Sequence, residues 1–322
     1  MRIRFDRSWS LALGVCLGLA GCGRDATTPA PTIIVDGSST VFRISRAARD
    51  AFAEVDPDVT VVLDNHGTGG GFARYLEGEV DVIDASRDAK PDEKSRAWAQ
   101  AIEWTRLLVA YDGITVAVNP KNDFVRELSV EQLRKLWGEG STVKTWRDLD
   151  PSWPDRPIVL YSPDDDSGTY EFFVAAILGE GAEPREDVQQ SPDDNVLISG
   201  VAGDADGIGY FGYAYYQANK DRLRPVAVKA TADAPAVLPS PETIADKSYA
   251  PLSRPLYLFV KNAAAKRPET WRFLNFYLDE ISTLAVRAGY DPPTPEDVAA
   301  GKAALARFAP ATKTDDAKPA TP

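Results

Sequence analysis

The chain has 322 residues, with 36 Lys and Arg against 48 Asp and Glu, a formal net charge of -12. That length suits about two domains of roughly 100–200 residues each, and 44% hydrophobic with 10% aromatic residues excludes wholesale disorder. The acidic balance argues against a nucleic-acid binder, which needs clustered Lys and Arg, and at first weighs against any anionic ligand.

The first 22 residues read as a processing signal. Arg2, Arg4 and Arg7 precede an apolar run from Trp9 to Ala20, which is short for a span that needs about 20 apolar residues. The run ends in Leu19-Ala20-Gly21-Cys22, which resembles the lipobox of bacterial lipoproteins, so Cys22 is the expected lipidation site and its thiol would accept diacylglycerol. Cys16 leaves with the signal, and a lone remaining cysteine forms no internal disulfide and no Cys-rich zinc site. The removed segment carries three Arg and one Asp, so the remaining chain is near -14. Residues 23–31 (GRDATTPAP) form a polar, proline-bearing tether, and 310–322 an expected disordered tail. The folded part is therefore expected outside the cytoplasm, in the cell envelope, held to a membrane by its lipid.

Thr32-Ile33-Ile34-Val35 predicts a buried strand. After Asp36-Gly37-Ser38-Ser39-Thr40, the residues Ile44, Ala48, Phe52 and Val55 recur at helical spacing. Val59–Leu63 is a second strand, closed by a glycine loop, His66-Gly67-Thr68-Gly69-Gly70-Gly71. A short helix over Phe72–Gly78 and a strand over Val80–Ile83 follow. Such alternation implies a parallel sheet with helices on its faces. Leu107–Val118 is a long extended stretch, with Asp112-Gly113 in its middle, able to cross between lobes. Ser129-Val130-Glu131-Gln132 has the capping-box pattern for a helix over Val130–Trp137. Strands over Ile158–Tyr161, Ile208–Phe211 and Val226–Val228 are interleaved with a helix over Tyr170–Leu178. Pro255–Val260 is a candidate return crossing, and helices over Glu269–Ala288 and Pro295–Phe308 close the chain, the second capped by Thr294. The expected fold class is α/β in two lobes, 32–112 plus 255–309 for one and 113–254 for the other, joined by two crossing segments.

Three stretches share one design, a strand end, a Gly/Ser/Thr turn and a helix start: Gly37-Ser38-Ser39-Thr40, Gly67-Thr68-Gly69-Gly70-Gly71 and Ser167-Gly168-Thr169. The first N–H groups of a helix lack intrahelical partners and carry the positive end of its dipole. Hydroxyls add donors, and glycine lets an oxyanion approach closely. One such turn is ordinary capping; three across both lobes point to a shared anion site. The glycine turn has Phe72 where a dinucleotide fingerprint needs glycine, and no Gly-Lys-Ser/Thr P-loop occurs. His66 is the sole histidine, and no Gly-x-Ser-x-Gly elbow is present. Asp164-Asp165-Asp166 does not match an EF-hand loop. Neither a catalytic apparatus nor a metal site or cofactor is expected.

Taken together, Asp36-Gly37-Ser38-Ser39-Thr40-Val41, Gly67–Phe72, Asp84-Ala85-Ser86-Arg87, Asp166-Ser167-Gly168-Thr169, Asp194-Asn195-Val196, Gly207–Ala214 and Pro251-Leu252-Ser253-Arg254-Pro255-Leu256 resemble the phosphate-binding (PstS-type) lipoproteins of bacterial ABC importers. The resemblance runs in order from about residue 33 to 305. It implies a type II periplasmic-binding-protein fold, each lobe a mixed or parallel sheet flanked by helices, closing over one inorganic phosphate, in a monomer that serves ABC permease subunits. Its ligand contacts fall on Ser39, Thr40, the amide of Val41, Thr68, Arg87, Ser167, Gly168 and Thr169, with Gly69, Ser86 and Asp166 as further candidates. Many members carry aspartate where this chain has Arg87, and arginine shortly before Ser-Gly-Thr, where it has Asp164-Asp165-Asp166. The charges look exchanged between lobes, Arg87 becoming the bidentate cation and Asp166 the acceptor for the proton that separates phosphate from sulfate. Sulfate or molybdate binding, and a phosphoesterase using the same donors, are the alternatives.

Overall fold

The computed structural model describes residues 30–310 except Asp166. The expected leader with Cys22, most of the tether, Asp166 and the tail beyond 310 lie outside the described residues. The chain begins with three strand–helix units: β1 (Thr32–Gly37), α1 (Ser39–Val55), β2 (Thr60–Leu63), α2 (Gly67–Leu76), β3 (Val82–Ala85) and α3 (Pro91–Ala99). β1 lies between β2 and β3 and is parallel to both. The carboxyl ends of all three strands therefore open on one side, where ligands of open α/β sheets bind.

β4 (Trp104–Val118) leads to β5 (Glu127–Ser129), α4 (Val130–Trp137), α5 (Trp146–Leu149) and β6 (Val159–Pro163). α6 (Gly168–Phe173) runs on into a π-helical turn over Val174–Leu178. β7 (Gln189–Ser191), α7 (Asp194–Gly203), β8 (Gly207–Gly212), α8 (Tyr213–Ala218), β9 (Arg224–Pro225), β10 (Ala227–Lys229) and α9 (Pro241–Ala245) follow. The last elements are β11 (Ser253–Lys261), α10 (Asn262–Ala265), α11 (Pro268–Arg287) and α12 (Pro295–Ala306).

Nine strands join in one mixed sheet of order β2-β1-β3-β11-β4-β8-β6-β7, with β9 also on β4, while β5 and β10 pair parallel in a separate two-stranded sheet. β4 makes this continuity possible. Its first part, Trp104–Gly113, pairs with β11, and its second, Ile114–Val118, pairs with β8. Asp112-Gly113 sits at that change of partner, within the stretch read as a crossing.

Two sets of core side chains follow the two parts of β4. In one, α1 buries Val41, Ile44, Ala48 and Phe52 at helical spacing against Phe273, Tyr277 and Ile281 of α11. The Phe52 and Phe273 rings meet edge to face at 5.3 Å. Such burial is worth about 3–5 kcal/mol against truncation to alanine. In the other, Trp137 of α4 packs on Phe173 of α6 and Tyr210 of β8, whose rings stack at 3.7 Å.

The two predicted caps form. Ser129 Oγ accepts from the Gln132 amide at 3.1 Å while Gln132 Oε1 accepts from the Ser129 amide at 2.9 Å. Thr294 Oγ1 accepts from the Asp297 amide at 3.1 Å. The glycine turn is different from expectation. α2 starts at Gly67, so Gly67–Gly71 is its first turn and not a loop. Glycine is poor in helices, which hides the start from a propensity argument. The reason lies in packing: a Cβ on Gly71 would stand 2.7 Å from Gly37 Cα and 2.9 Å from Asp36 O. α2 can lie this close to β1 only without side chains.

Candidate functional site

At the end of β1, Gly37 adopts φ +142°, and a Cβ there would come within 2.1 Å of Asp84 O. Any other residue would push β1 off β3. The Ser38 amide instead donates to Asp84 O at 2.8 Å. α1 starts at once, and the Phe42 amide is the one that bonds back to Ser38 O, at 2.9 Å. The amides of Ser39, Thr40 and Val41 thus belong to the turn that lacks helical acceptors. The side chains of Thr40 and Val41 are buried, the latter in the core.

Asp36, fully buried, ties the start of α2 to the same strand. Its Oδ1 accepts from the amides of Gly37 and His66 at 2.7 and 3.0 Å, and its Oδ2 lies 2.9 Å from His66 Nδ1 and 2.6 Å from Arg74 Nη1. Burial alone would raise its pKa, but the bonds from His66 and Arg74 outweigh it and hold the carboxyl below its ordinary value. Asp36, Asp64 and His66 are grouped closely enough to suggest a metal site. Arg74 Nη1 also lies 3.0 Å from Asp64 Oδ2, so a guanidinium already supplies the cation there. His66 is a positioning residue for the glycine turn.

On the following turn, Thr68 Oγ1 lies 3.2 Å from Ser86 Oγ and accepts from the Ser86 amide. Gly69 faces Arg87, whose Nη2 would be 3.8 Å from a Cβ on it. Arg87 keeps its contacts within this half of the sheet. Its Nη1 and Nη2 donate to the two Glu93 carboxylate oxygens at 2.9 and 2.8 Å, and Nη1 also to Asp88 O. Glu93 Oε2 in turn accepts from the Lys90 amide at the start of α3. The Nε–H edge of the guanidinium carries no partner among the described residues. Asp166, the expected acceptor for the phosphate proton, lies outside them.

Across the sheet, α6 starts at the carboxyl end of β6. Ser167 Oγ accepts from the Thr169 amide at 3.2 Å, and the Trp137–Phe173–Tyr210 stack holds the helix from behind. Here the two halves meet. Ser39 Oγ donates to Glu171 Oε2 at 3.0 Å, and Gly168 approaches Thr40 so closely that a Cβ would stand 2.9 Å from Thr40 Oγ1. Among them sits Arg254 of β11. Its Nη2 donates to Thr40 Oγ1 at 3.1 Å and to Gly168 O at 3.4 Å, its Nε and Nη2 reach Asp112 Oδ2 at 3.0 and 2.9 Å, and it stacks 3.9 Å from the centre of the Phe172 ring.

Residue by residue, the structure gathers Ser39, Thr40 and Gly168, pairs Thr68 with Ser86 and Gly69 with Arg87, and leaves Ser167 capping Thr169. The guanidinium at the meeting point is Arg254, which the sequence names only within the Pro251–Leu256 motif and not among the ligand contacts. Its signal was the Ser253-Arg254-Pro255 sequence at the second crossing.

The carboxyls around this point are perturbed. Burial pushes Asp84, whose Oδ1 accepts from Ser45 Oγ at 2.7 Å, up to about 8. Asp112 is 2% exposed, and its burial raises it despite Arg254. Burial, helped by the nearby Asp112 charge, lifts Asp291 to about 7. Burial thus raises all three carboxyls above the ordinary carboxylate range, with Asp112 held beside the Arg254 guanidinium.

Residues 24–280 match the PBP superfamily domain (PBP_like_2). The chain is 39% identical over 282 residues to the phosphate-binding protein PstS of Staphylococcus saprophyticus, covering 87% of this chain and 86% of that one. A crystal structure of a possible phosphate binding protein from Planctomyces limnophilus superposes with a TM-score of 0.83 at 36% identity, over 87% of this chain and 99% of that one. A candidate phosphate ABC transporter substrate-binding protein from Clostridium perfringens, solved with bound phosphate, is 26% identical with a TM-score of 0.52, over 82% and 100% of the two chains.

Proposed function

Because the chain belongs to the PBP superfamily, and within it to the PstS-type phosphate-binding proteins, we propose that it captures inorganic phosphate and delivers it to the membrane subunits of an ABC importer, without catalysing a reaction. The observation that carries this reading is the meeting of Thr40 and Gly168, each in the first turn of a helix that follows a strand end, with the Arg254 guanidinium between them. Helix-start amides, hydroxyls and a guanidinium are the donors an oxyanion needs. In this reading Ser39, Thr40, the Val41 amide and Thr68 serve from one half, Ser167, Gly168 and Thr169 from the other, and Arg87 presents its Nε–H edge. Gly69 and Ser86 line the approach, and Asp166 would accept the phosphate proton that sulfate lacks. The halves would close as a hinged clamp about Asp112-Gly113 and Ser253-Arg254.

We place the protein in the cell envelope as a monomer, held by lipid on Cys22. No helix among the described residues is long and apolar enough to cross a membrane. Titration calorimetry should give saturable phosphate binding, with Thr169→Val and Arg87→Ala each weaker by roughly ten- to a hundredfold, as about 1.5–3 kcal/mol per charge-assisted bond implies. No heat with phosphate, and no displacement of labelled phosphate by cold phosphate, would overturn the reading. A tighter response to sulfate or molybdate would reassign the anion.

A further inference from the structure

Trp98 lies in the last turn of α3 with 88% of its surface exposed, whereas Trp137 and Trp146 are buried. An indole in that position is an unfavourable choice for a surface that meets only water. Around it lies a shallow depression that includes Lys94, Ile102, Glu103 and Arg307. A second depression shares Ile102 and Glu103 and extends the surface to Lys266. Lys94, Lys266 and Arg307 are all exposed. Glu103 is the acid shared by the two depressions, and Asp88 lies 3.5 Å from Lys94 at the margin. On a chain of net charge -12, Lys94 and Arg307 lie beside this exposed indole and Lys266 lines the adjoining depression.

The start of the folded chain lies at the same edge. Arg267, next to Lys266, donates from Nη1 to Thr32 O at 3.3 Å. Thr32 opens β1, and Gly37 closes it beside Thr40, so this face lies at the opposite end of the strand from the anion site. Residues 23–31 span at most about 30 Å when fully extended, which keeps the Thr32 edge close to whatever holds Cys22.

We propose that the Trp98 face rests in the headgroup region of the membrane that carries the lipid, an inference that depends on the anchor read above for its biological setting. Indole, apolar with one N–H, favours the membrane–water interface, and Lys94, Lys266 and Arg307 attract anionic headgroups. Resting on this face leaves the anion site turned away from the bilayer. A lipid anchor of one or two chains is strengthened by such a second contact.

The test uses the signal-free chain starting at position 22 with Cys22→Ser, which removes both the apolar leader and the anchor, on vesicles of phosphatidylcholine and phosphatidylglycerol. Partitioning should be measurable, fall about tenfold with Trp98→Ala, and drop with added salt, while phosphate titration stays unchanged. Brominated acyl chains should quench part of the tryptophan emission in the parent and less of it in Trp98→Ala. Equal partitioning and equal quenching of the two variants overturns the proposal, as does a face that binds a partner protein but no vesicle. The mass of Cys22 in the exported chain tests the anchor separately, so either reading can fail while the other stands.

Discussion

Arg254 holds four groups at once, and its neighbour Asp112 decides how it can be tested. Removing Arg254 alone leaves a buried carboxylate without its cation, a loss of about 3–5 kcal/mol, so a binding defect in Arg254→Met would be confounded by unfolding. The pair Arg254→Met with Asp112→Asn removes charge and counter-charge together. This double variant should melt near the parent temperature yet bind phosphate roughly tenfold or more weakly by calorimetry, as loss of a charge-assisted donor implies. Parent-like affinity would show that Arg254 joins the halves without serving the anion. Asp84 gives a second residue-scale outcome. Its carboxyl is pushed up to about 8 from an ordinary 3.8, so between those values the folded chain keeps a proton that the unfolded chain has lost. Stability must then fall as pH rises through that window, at up to about 1.4 kcal/mol per unit. Asp84→Asn mimics the neutral acid and keeps the acceptor for Ser45. Thermal melts at about pH 5 and about pH 9 should differ less in Asp84→Asn than in the parent; an equal loss in both would remove Asp84 as the cause.

At the scale of elements, α3 illustrates how a helix start can aim a side chain belonging to the loop before it. Glu93 closes the first turn of α3 through the Lys90 amide and uses both oxygens on Arg87. Glu93→Gln preserves the cap, because glutamine suits that position, but weakens the grip on the guanidinium. Phosphate affinity should therefore drop several-fold with little change in melting temperature, and by less than in Arg87→Ala; an unchanged affinity would mean that Arg87 needs no such support. None of this pairing is visible in the sequence, since the Glu93–Arg87 contact depends on how the chain turns between β3 and α3. Other elements were legible. Ile44, Ala48 and Phe52 announce α1 by spacing, although Val55, read with them, is exposed at its end; Ser129 and Thr294 announce their helices by capping chemistry, and Leu107–Val118 announces β4 by its apolar length. What local signals missed were features imposed from outside the segment. Gly67–Gly71 reads as a loop because its helix exists only through close packing on β1, and Arg254 is not singled out as a donor because Thr40 and Gly168 meet it from segments more than 80 residues away.

For the whole molecule, the charge of -12 and the capture of an anion act at different distances. Beyond about 10 Å the phosphate meets the summed field of the chain, which repels it and which salt screens at the Debye length. Within the proposed cleft it would meet amides, hydroxyls and Arg254, while burial raises Asp84 to about 8 and Asp291 to about 7. Screening should consequently act on approach more than on release. The association rate of phosphate is expected to rise with ionic strength, opposite to a ligand steered by attraction, while the dissociation rate changes little because a buried pair is screened far less. Stopped-flow binding across a salt series of fixed pH separates the two rates. A falling association rate would mean that the cationic groups near the cleft dominate the approach, and that the acidic surface lies mostly away from the ligand's path.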